Sequence, residues 1–517
     1  MSARGVVAAG HPDTAAAARE VLAEGGNAFD AALAAVCAAC VAEPVLASLG
    51  GGGFLLARQA NGEARLYDFF VATPQLRRPE SDIDFHPILA DFGTATQEFH
   101  IGLGAIATPG LVKGLFRCHR ELGRLPIGRL FEPAVRLARD GVRLRAVDAY
   151  LFTVVGPILL AQPEGRALYG HGSDRLLTEG EVLRQPVLAD TLEALGREGD
   201  DLFYKGEIGQ DIARFCAEGG GQLTARDLAD YDVEARQPLE ARYRGARILL
   251  NPPPSSGGIL VAFALELLAT RELAEMSEAG RLALLAEIMR LTNRARIEAG
   301  LREALDDPSQ DAVGRLLDPA LLARYVREIR GRPAAFRGTT HISVADAEGN
   351  LAALSVSNGE GCGHFLPGTG IMLNNMLGEE DLNPSGFHAW REGQRMTSMM
   401  CPCIAESAEG AMTALGTGGS NRIRTAILQV LLNTLDLGMS LREAVEKPRL
   451  HVEGGTASLE SGYGPDVMEA LEAGGDTLAR WPRHNLFFGG VHAATRHADG
   501  SFDAAGDPRR GGCTDAA

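Results

Sequence analysis

"FRGTTHISVADAEGNLAALSVSNG", Phe336 to Gly359, holds two runs of β-forming residues around a polar turn. Ala347-Glu348-Gly349-Asn350 reads as the turn. A symmetric pairing about it sets Thr340 across from Ser357 and Thr339 across from Asn358. The first strand opens on Gly338-Thr339-Thr340-His341, so a hydroxyl and an amide would flank Thr339 at the open end of the hairpin. That arrangement describes a site as well as a strand.

Gly338-Thr339 also has the chemistry of self-cleavage. A threonine hydroxyl can attack the carbonyl just before it, shifting the acyl group from N to O, and water then frees the chain. Glycine leaves that carbonyl unhindered. The product is a threonine whose α-amine, with an ordinary pKa of about 7.7–8.0, can serve as general base for its own hydroxyl. A Thr-Thr pair alone is ordinary in a strand, because β-branched residues favour it.

After residue 338 the sequence reads as strands: the opening hairpin, "IAESAEGAMTALGTGG" and "HAATRHADGSFDAAGD", with one helix, "RIRTAILQVLLNTLDLG", between them. Near the N terminus, "DTAAAAREVLAEGGNAFDAALAAVCAACVAEP" reads as a helical hairpin. Asp13 is placed to cap its first helix, Gly25-Gly26 to end it, Asp30 in the first turns of the second helix and Pro44 as its stop. "SLGGGGFLLARQ" sets four glycines before a strand, a pattern for close backbone approach that lacks phosphate-loop spacing. Residues 110 to 335 read as mostly helical, with "PPPSSGG" (252–258) a rigid turn before a helix start. With no repeat and no low-complexity linker, the expectation is one integrated α/β unit with strands layered between helices. The division into 1–338 and 339–517 is chemical rather than architectural.

The chain of 517 residues is 45% hydrophobic and 23% charged, with a net charge of −17. An acidic chain without a Lys/Arg tract argues against nucleic acid or an anionic membrane as partner. "MSARGVVAAGHPDT" lacks the apolar run of a secretory leader, and Ala31 to Leu56 is broken by Glu43-Pro44 and four glycines, so a soluble, cytoplasmic protein is expected. The eight cysteines do not form a disulfide framework by spacing. Cys37 and Cys40 read as small apolar helix residues, and Cys401 and Cys403 lack partners at zinc spacing.

The sequence resembles the gamma-glutamyltransferase family of N-terminal nucleophile hydrolases. The resemblance rests on "EGGNAFDAALA" (24–34), "LGGGGFLLA" (49–57), "IATPG" (106–110), "LARDGV" (137–142), "LTARDLADY" (223–231), "PPPSSGG" (252–258), "TTHISV" (339–344), "GIMLNN" (370–375), "GTGGSNRI" (416–423) and "DPRRGG" (507–512). It implies an αββα sandwich, made as one precursor and cut into a large subunit, 1–338, and a small one, 339–517, which can pair as a dimer of heterodimers. It further implies that Thr339 is the nucleophile, that Ser357 is a hydroxyl supporting it, and that Gly418 and Gly419 supply an oxyanion hole. No metal or organic cofactor is implied, since the chemistry needs only a hydroxyl, an amine and amide donors.

The substrate positions depart from the family pattern. Pro79 falls about where an arginine clamps the substrate carboxylate, leaving Arg77 or Arg78 as substitutes. The family's paired serines become Ser398-Met399, a side-chain amide becomes Gly359, and Met376 and Glu379 follow "LNN". Asn358, Glu379 and Ser398 remain as candidate substrate contacts. Three readings follow. The leading one is an autoprocessing enzyme passing a γ-glutamyl group, from glutathione or a related amide, through Thr339 to water or an amino acid. The second is an amidohydrolase or acylase for another acyl group. The third is an uncut, non-catalytic relative. Intact-mass measurement separates the third from the others: purified protein is expected as pieces of 338 and 179 residues, while Thr339→Ala stays whole.

Overall fold

Two antiparallel sheets lie face to face between helical layers in the computed structural model, which describes residues 3–91, 96–301, 311–327, 339–383 and 386–517. Thirteen strands build the two sheets: β1 (Gly5–Ala9), β2 (Gly52–Arg58), β3 (Ala64–Phe69), β4 (Glu234–Arg236), β5 (Leu239–Tyr243), β6 (Ala246–Leu250), β7 (Thr340–Asp346), β8 (Leu351–Ser357), β9 (Cys403–Glu406), β10 (Met412–Gly416), β11 (His492–Arg496), β12 (Phe502–Ala505) and β13 (Cys513–Ala516). The first sheet runs β13-β1-β7-β8-β2-β3-β4 and the second β12-β11-β10-β9-β6-β5. Helices α1 (Pro12–Ala23) and α2 (Ala28–Ala42) cover the first sheet. Helices α3 (Gly257–Leu268), α4 (Glu278–Glu298) and α5 (Arg422–Leu435) lie on the side of the second. This is the expected αββα sandwich. Both sheets draw strands from before and after residue 338. Among the described residues no helix is long and apolar enough to cross a membrane.

β7 and β8 are buried along their whole length. Their alternation therefore separates two interiors rather than core from solvent. Ile342, Val344, Leu354 and Val356 join the core under α2, while Ala345, Leu351 and Ala353 join the core between the sheets. His341, Ser343 and Ser355 satisfy one another: the His341 ring is 2.8 Å from Ser355 Oγ and 2.9 Å from Ser343 Oγ. Burial pushes the His341 pKa well below its ordinary value, so the ring is neutral.

The hairpin register differs by one residue from the symmetric pairing read in the sequence. Thr340 pairs with Val356, and Asp346 N–H donates to Asn350 O across the three-residue loop 347–349, with Gly349 at φ 96°. A left-handed glycine at the end of such a loop shifts the register that a four-residue turn would give. Continuing the pairing outward sets Thr339 beside Ser357 rather than Asn358.

One other expectation is corrected, and the mostly helical reading of 110–335 holds with an addition. The α1 cap is His11, whose ring accepts from Asp13 N–H, with Pro12 in the first turn; Asp13 is already helical. The stretch 110–335 also contains β4, β5 and β6. Arg244 and Gly245 both have positive φ between β5 and β6, the conformation that a two-residue hairpin requires.

The glycine run meets neighbouring backbone. A Cβ at Gly51 would overlap the Ser357 carbonyl, and one at Gly53 the Ser355 carbonyl. Gly51→Ala should therefore push on the strand that carries Ser357. A loss of about 1–3 kcal/mol is expected, the usual cost of overpacking, read as a lower melting temperature.

Candidate active site

The open end of the β7-β8 hairpin borders a cavity of about 450 Å³, within the range of small-molecule sites. Thr339 and Ser357 line it, with Glu379, Glu380, Asp381, Ser398, Ser420 and Asn421 as further polar residues. Phe70, Met376, Leu382, Met399, Met400 and Ile423 form much of the apolar wall. Arg296, near the end of α4, is the one cation among the described lining residues.

Thr339 is 5% exposed and held through its carbonyl, which accepts from Arg510 Nη1 at 3.1 Å. Gly418 is packed so closely that a Cβ there would overlap the same carbonyl oxygen. Gly418 and Gly419 belong to the short link between β10 and α5, and Gly419 has φ 124°. The α5 N terminus carries no side-chain cap; its first amides, Arg422 and Ile423 N–H, donate to the Gly419 and Ser420 carbonyls at 3.0 and 2.9 Å. Ser357 Oγ accepts from Gly359 N–H at 3.0 Å. Gly338 lies outside the described residues.

Arg510 is itself positioned by a buried charge network. Burial pushes its pKa down to about 10, against the favourable charges of Glu360, Asp507 and Glu43. Asp507, three residues earlier, accepts from Arg449 Nη2 at 2.6 Å and from Val491 N–H at 2.9 Å. Arg509 pairs with both Glu460 and Asp507. The "DPRRGG" motif is thus the loop that presents a guanidinium to Thr339.

The other expected substrate residues divide. Glu379 and Ser398 line the cavity. Ser398 Oγ accepts from Met400 N–H at 3.0 Å, and its carbonyl accepts from Ser256 N–H at 2.7 Å, so the "PPPSSGG" turn tethers this wall. Asn358 is buried next to Ser357 but is not a lining residue. Arg77 and Arg78 do not line the cavity at all. Arg77 donates to His388 O at 2.9 Å and stacks over Trp390, and Arg78 donates to Ala217 O at 3.1 Å. Their segment follows the outer loop 388–394 and the helix Glu207–Gly219, and neither arginine is brought to the cavity with Thr339.

Over residues 14–517 the chain matches the family described as Gamma-glutamyltranspeptidase. The chain belongs to the gamma-glutamyltranspeptidase family. It is 31% identical over 522 residues to the acylase ACY 1 proenzyme of Pseudomonas sp. (strain SE83), spanning 97% of this chain and 91% of that protein. It is 30% identical over 517 residues to the glutathione hydrolase proenzyme of Escherichia coli (strain K12), spanning 95% and 88%. The cephalosporin acylase of Bacillus halodurans has the same fold, with a TM-score of 0.86 at 24% identity over 99% of this chain and 96% of that one.

The lining residues of this family member that the sequence reading did not single out include Asn421, Asp381 and Arg296. Asn421 Nδ2 donates to Glu453 Oε1 at 3.2 Å, and Ser420 Oγ, at φ 51°, donates to Asp381 Oδ2 at 3.2 Å. "GGSNR" showed polar residues at a helix start, but nothing local pointed to partners 30 to 40 positions away. Arg296 looks in sequence like any solvated helix residue. The packing of Gly418 gives a direct test. Gly418→Ala should displace Thr339 and lower kcat on an acyl anilide by about 10²-fold, with a smaller change in KM, in protein shown by its melting curve to be folded.

Proposed function

We propose that the protein is a self-processing acyl-amide hydrolase with Thr339 as nucleophile, and that its acyl site favours groups with an apolar body over the γ-glutamyl zwitterion. Thr339 Oγ attacks the Gly338 carbonyl, the Gly338–Thr339 amide becomes an ester, and water releases the Gly338 carboxylate and a free Thr339 α-amine. That amine then takes the Oγ proton as Oγ attacks a substrate amide. Gly418 and Gly419 N–H groups stabilise the tetrahedral oxyanion, a contribution worth about 10²–10³ in rate per donor. The amine product leaves with the proton, and water resolves the ester to a carboxylic acid. Both curated relatives named above are called proenzymes, which supports the processing step.

The observation that carries the acyl preference is the cavity wall. Met376 and Met399 line it, neither Arg77 nor Arg78 reaches it, and a side chain at Gly359 would overlap Asn375 Oδ1 and Glu379 Oε1. An α-carboxylate would thus lose the partners that the family pattern supplies and find one cation, Arg296, among the described lining residues; each lost charged hydrogen bond is worth about 1.5–3 kcal/mol. A relative named acylase at 31% identity agrees with this reading. The γ-glutamyl alternative is favoured by Glu379, Glu380 and Asp381, which give the cavity carboxylates suited to an α-amine.

Glutaryl and γ-glutamyl anilides differ only by that amine. Their kcat/KM values are expected within about tenfold of each other, less than one charged hydrogen bond would give at the upper end of its range. A preference of about a thousandfold for γ-glutamyl, abolished in Glu379→Ala, would establish the alternative.

A further inference from the structure

Glu43 follows the last residue of α2 and is 6% exposed. Its Oε1 accepts from Thr14 Oγ1 at 2.8 Å and its Oε2 from Thr340 Oγ1 at 2.7 Å. The carboxylate therefore ties helix α1 to the first residue of β7, immediately after Thr339. Neither Glu43 nor Arg510 lines the acyl cavity. Both line a second, smaller cavity of about 20 Å³, with Gly10, Arg145 and Asp148 also in its wall. That is room for about one water molecule, too small for a substrate.

The surroundings are shaped for a charged group. A Cβ at Gly10 would lie 2.5 Å from Glu43 Oε2 and 3.2 Å from Thr340 Oγ1, so a side chain there would intrude on the contact. A carboxylate only accepts, and it can take both hydroxyl protons at once. Its charge is offset by Arg510 and Arg145, on whose guanidinium groups it acts. Arg145 is in turn paired with Asp148 at 2.8 Å and donates to Gly10 O at 3.1 Å.

We infer that Glu43 is a positioning residue for the nucleophile. With Arg510, it holds the Thr339–Thr340 peptide from outside the acyl cavity. This inference rests on the Thr339 reading. Its physical basis is the cut. Before processing, Thr339 is held by chain on both sides. Afterwards it is a terminus, and termini fray unless tied down. The holds on the new end include the Arg510 bond to its carbonyl, the packing of Gly418 and, one residue on, the Glu43 bond to Thr340. The carboxylate acts through Thr340 and touches no reacting atom.

The test uses the full chain carrying Thr340→Val, Thr340→Ser, Glu43→Gln or Thr14→Val, followed by processing (intact mass), melting temperature, and kcat and KM on a glutaryl anilide. Thr340→Val and Glu43→Gln should each lower kcat by about tenfold or more with KM within about twofold, as loss of geometry rather than of binding requires. Thr340→Ser, which restores the hydroxyl, should recover most of the loss. Thr14→Val breaks only the bond on the helix side, and should lower the melting temperature while kcat stays near wild type. Wild-type kcat in Glu43→Gln would overturn the inference, as would equal kcat losses in Thr340→Ser and Thr340→Val, or a Thr14→Val loss matching that of Thr340→Val. If Thr340→Val fails to fold, Glu43→Gln, which keeps the side-chain shape, decides alone. Undiminished turnover in Thr339→Ala would instead remove the nucleophile assignment itself, a result that none of the other variants can mimic.

Discussion

The β7-β8 pair is buried on both faces, and the active-site geometry depends on that constraint. A one-residue slip of β7 against its neighbours would send Ile342 and Val344 into the polar space now around His341, and His341 into the core under α2. The register is therefore fixed by packing, and with it the pairing of Thr339 with Ser357. The glycine run at 50–53 extends the same logic to the next strand, because the β2 backbone can approach Ser355 and Ser357 only where no Cβ intervenes. The neutral His341 belongs to this framework: it fills and bonds the space between the sheets, and a Cβ at Gly416 would overlap its ring.

Behind the hairpin the protein spends charge to hold position. Arg449, Asp507, Arg509 and Glu460 are all buried and mutually paired. Such networks rarely add net stability over an apolar core of the same volume, because desolvation offsets the attraction. What this one does is fix the 507–512 loop so that Arg510 meets the Thr339 carbonyl. The second sheet adds a further contact through the β10-α5 link, where Gly418 closes on the same oxygen beside Arg510. One carbonyl is thus gripped by parts of the chain about 80 and 170 residues downstream.

The helical hairpin and the β7-β8 strand pair were legible from local chemistry, caps and alternation, whereas the αββα sandwich and the grouping of Thr339 with Ser357 and Gly418 came from the family resemblance. The errors also have local causes. The turn at 347–349 has three residues rather than four, a difference that depends on the φ of Gly349 and cannot be read from composition. β5 and β6 were hidden by the long amphipathic helices on either side, although "LEARYRGARILL" alternates and holds an Arg-Gly turn. Arg77 and Arg78 were chosen by nearness in sequence to a missing arginine, whereas the chain carries them outward to Trp390 and Ala217. Arg296, Asp381 and Asn421 reach the cavity through tertiary packing that no nearby pattern announces.

The central claim is that the acyl group passes through the Thr339 hydroxyl. The most direct measurement is mass spectrometry of processed protein quenched during turnover of a slow acyl anilide. The account predicts a mass increase equal to the acyl group on the peptide that begins at Thr339, lost as turnover ends and absent in a variant that cannot form the ester. An acyl group found on any other peptide, or turnover with no acyl group on the protein while the same quench captures the ester in a related threonine hydrolase, would contradict it.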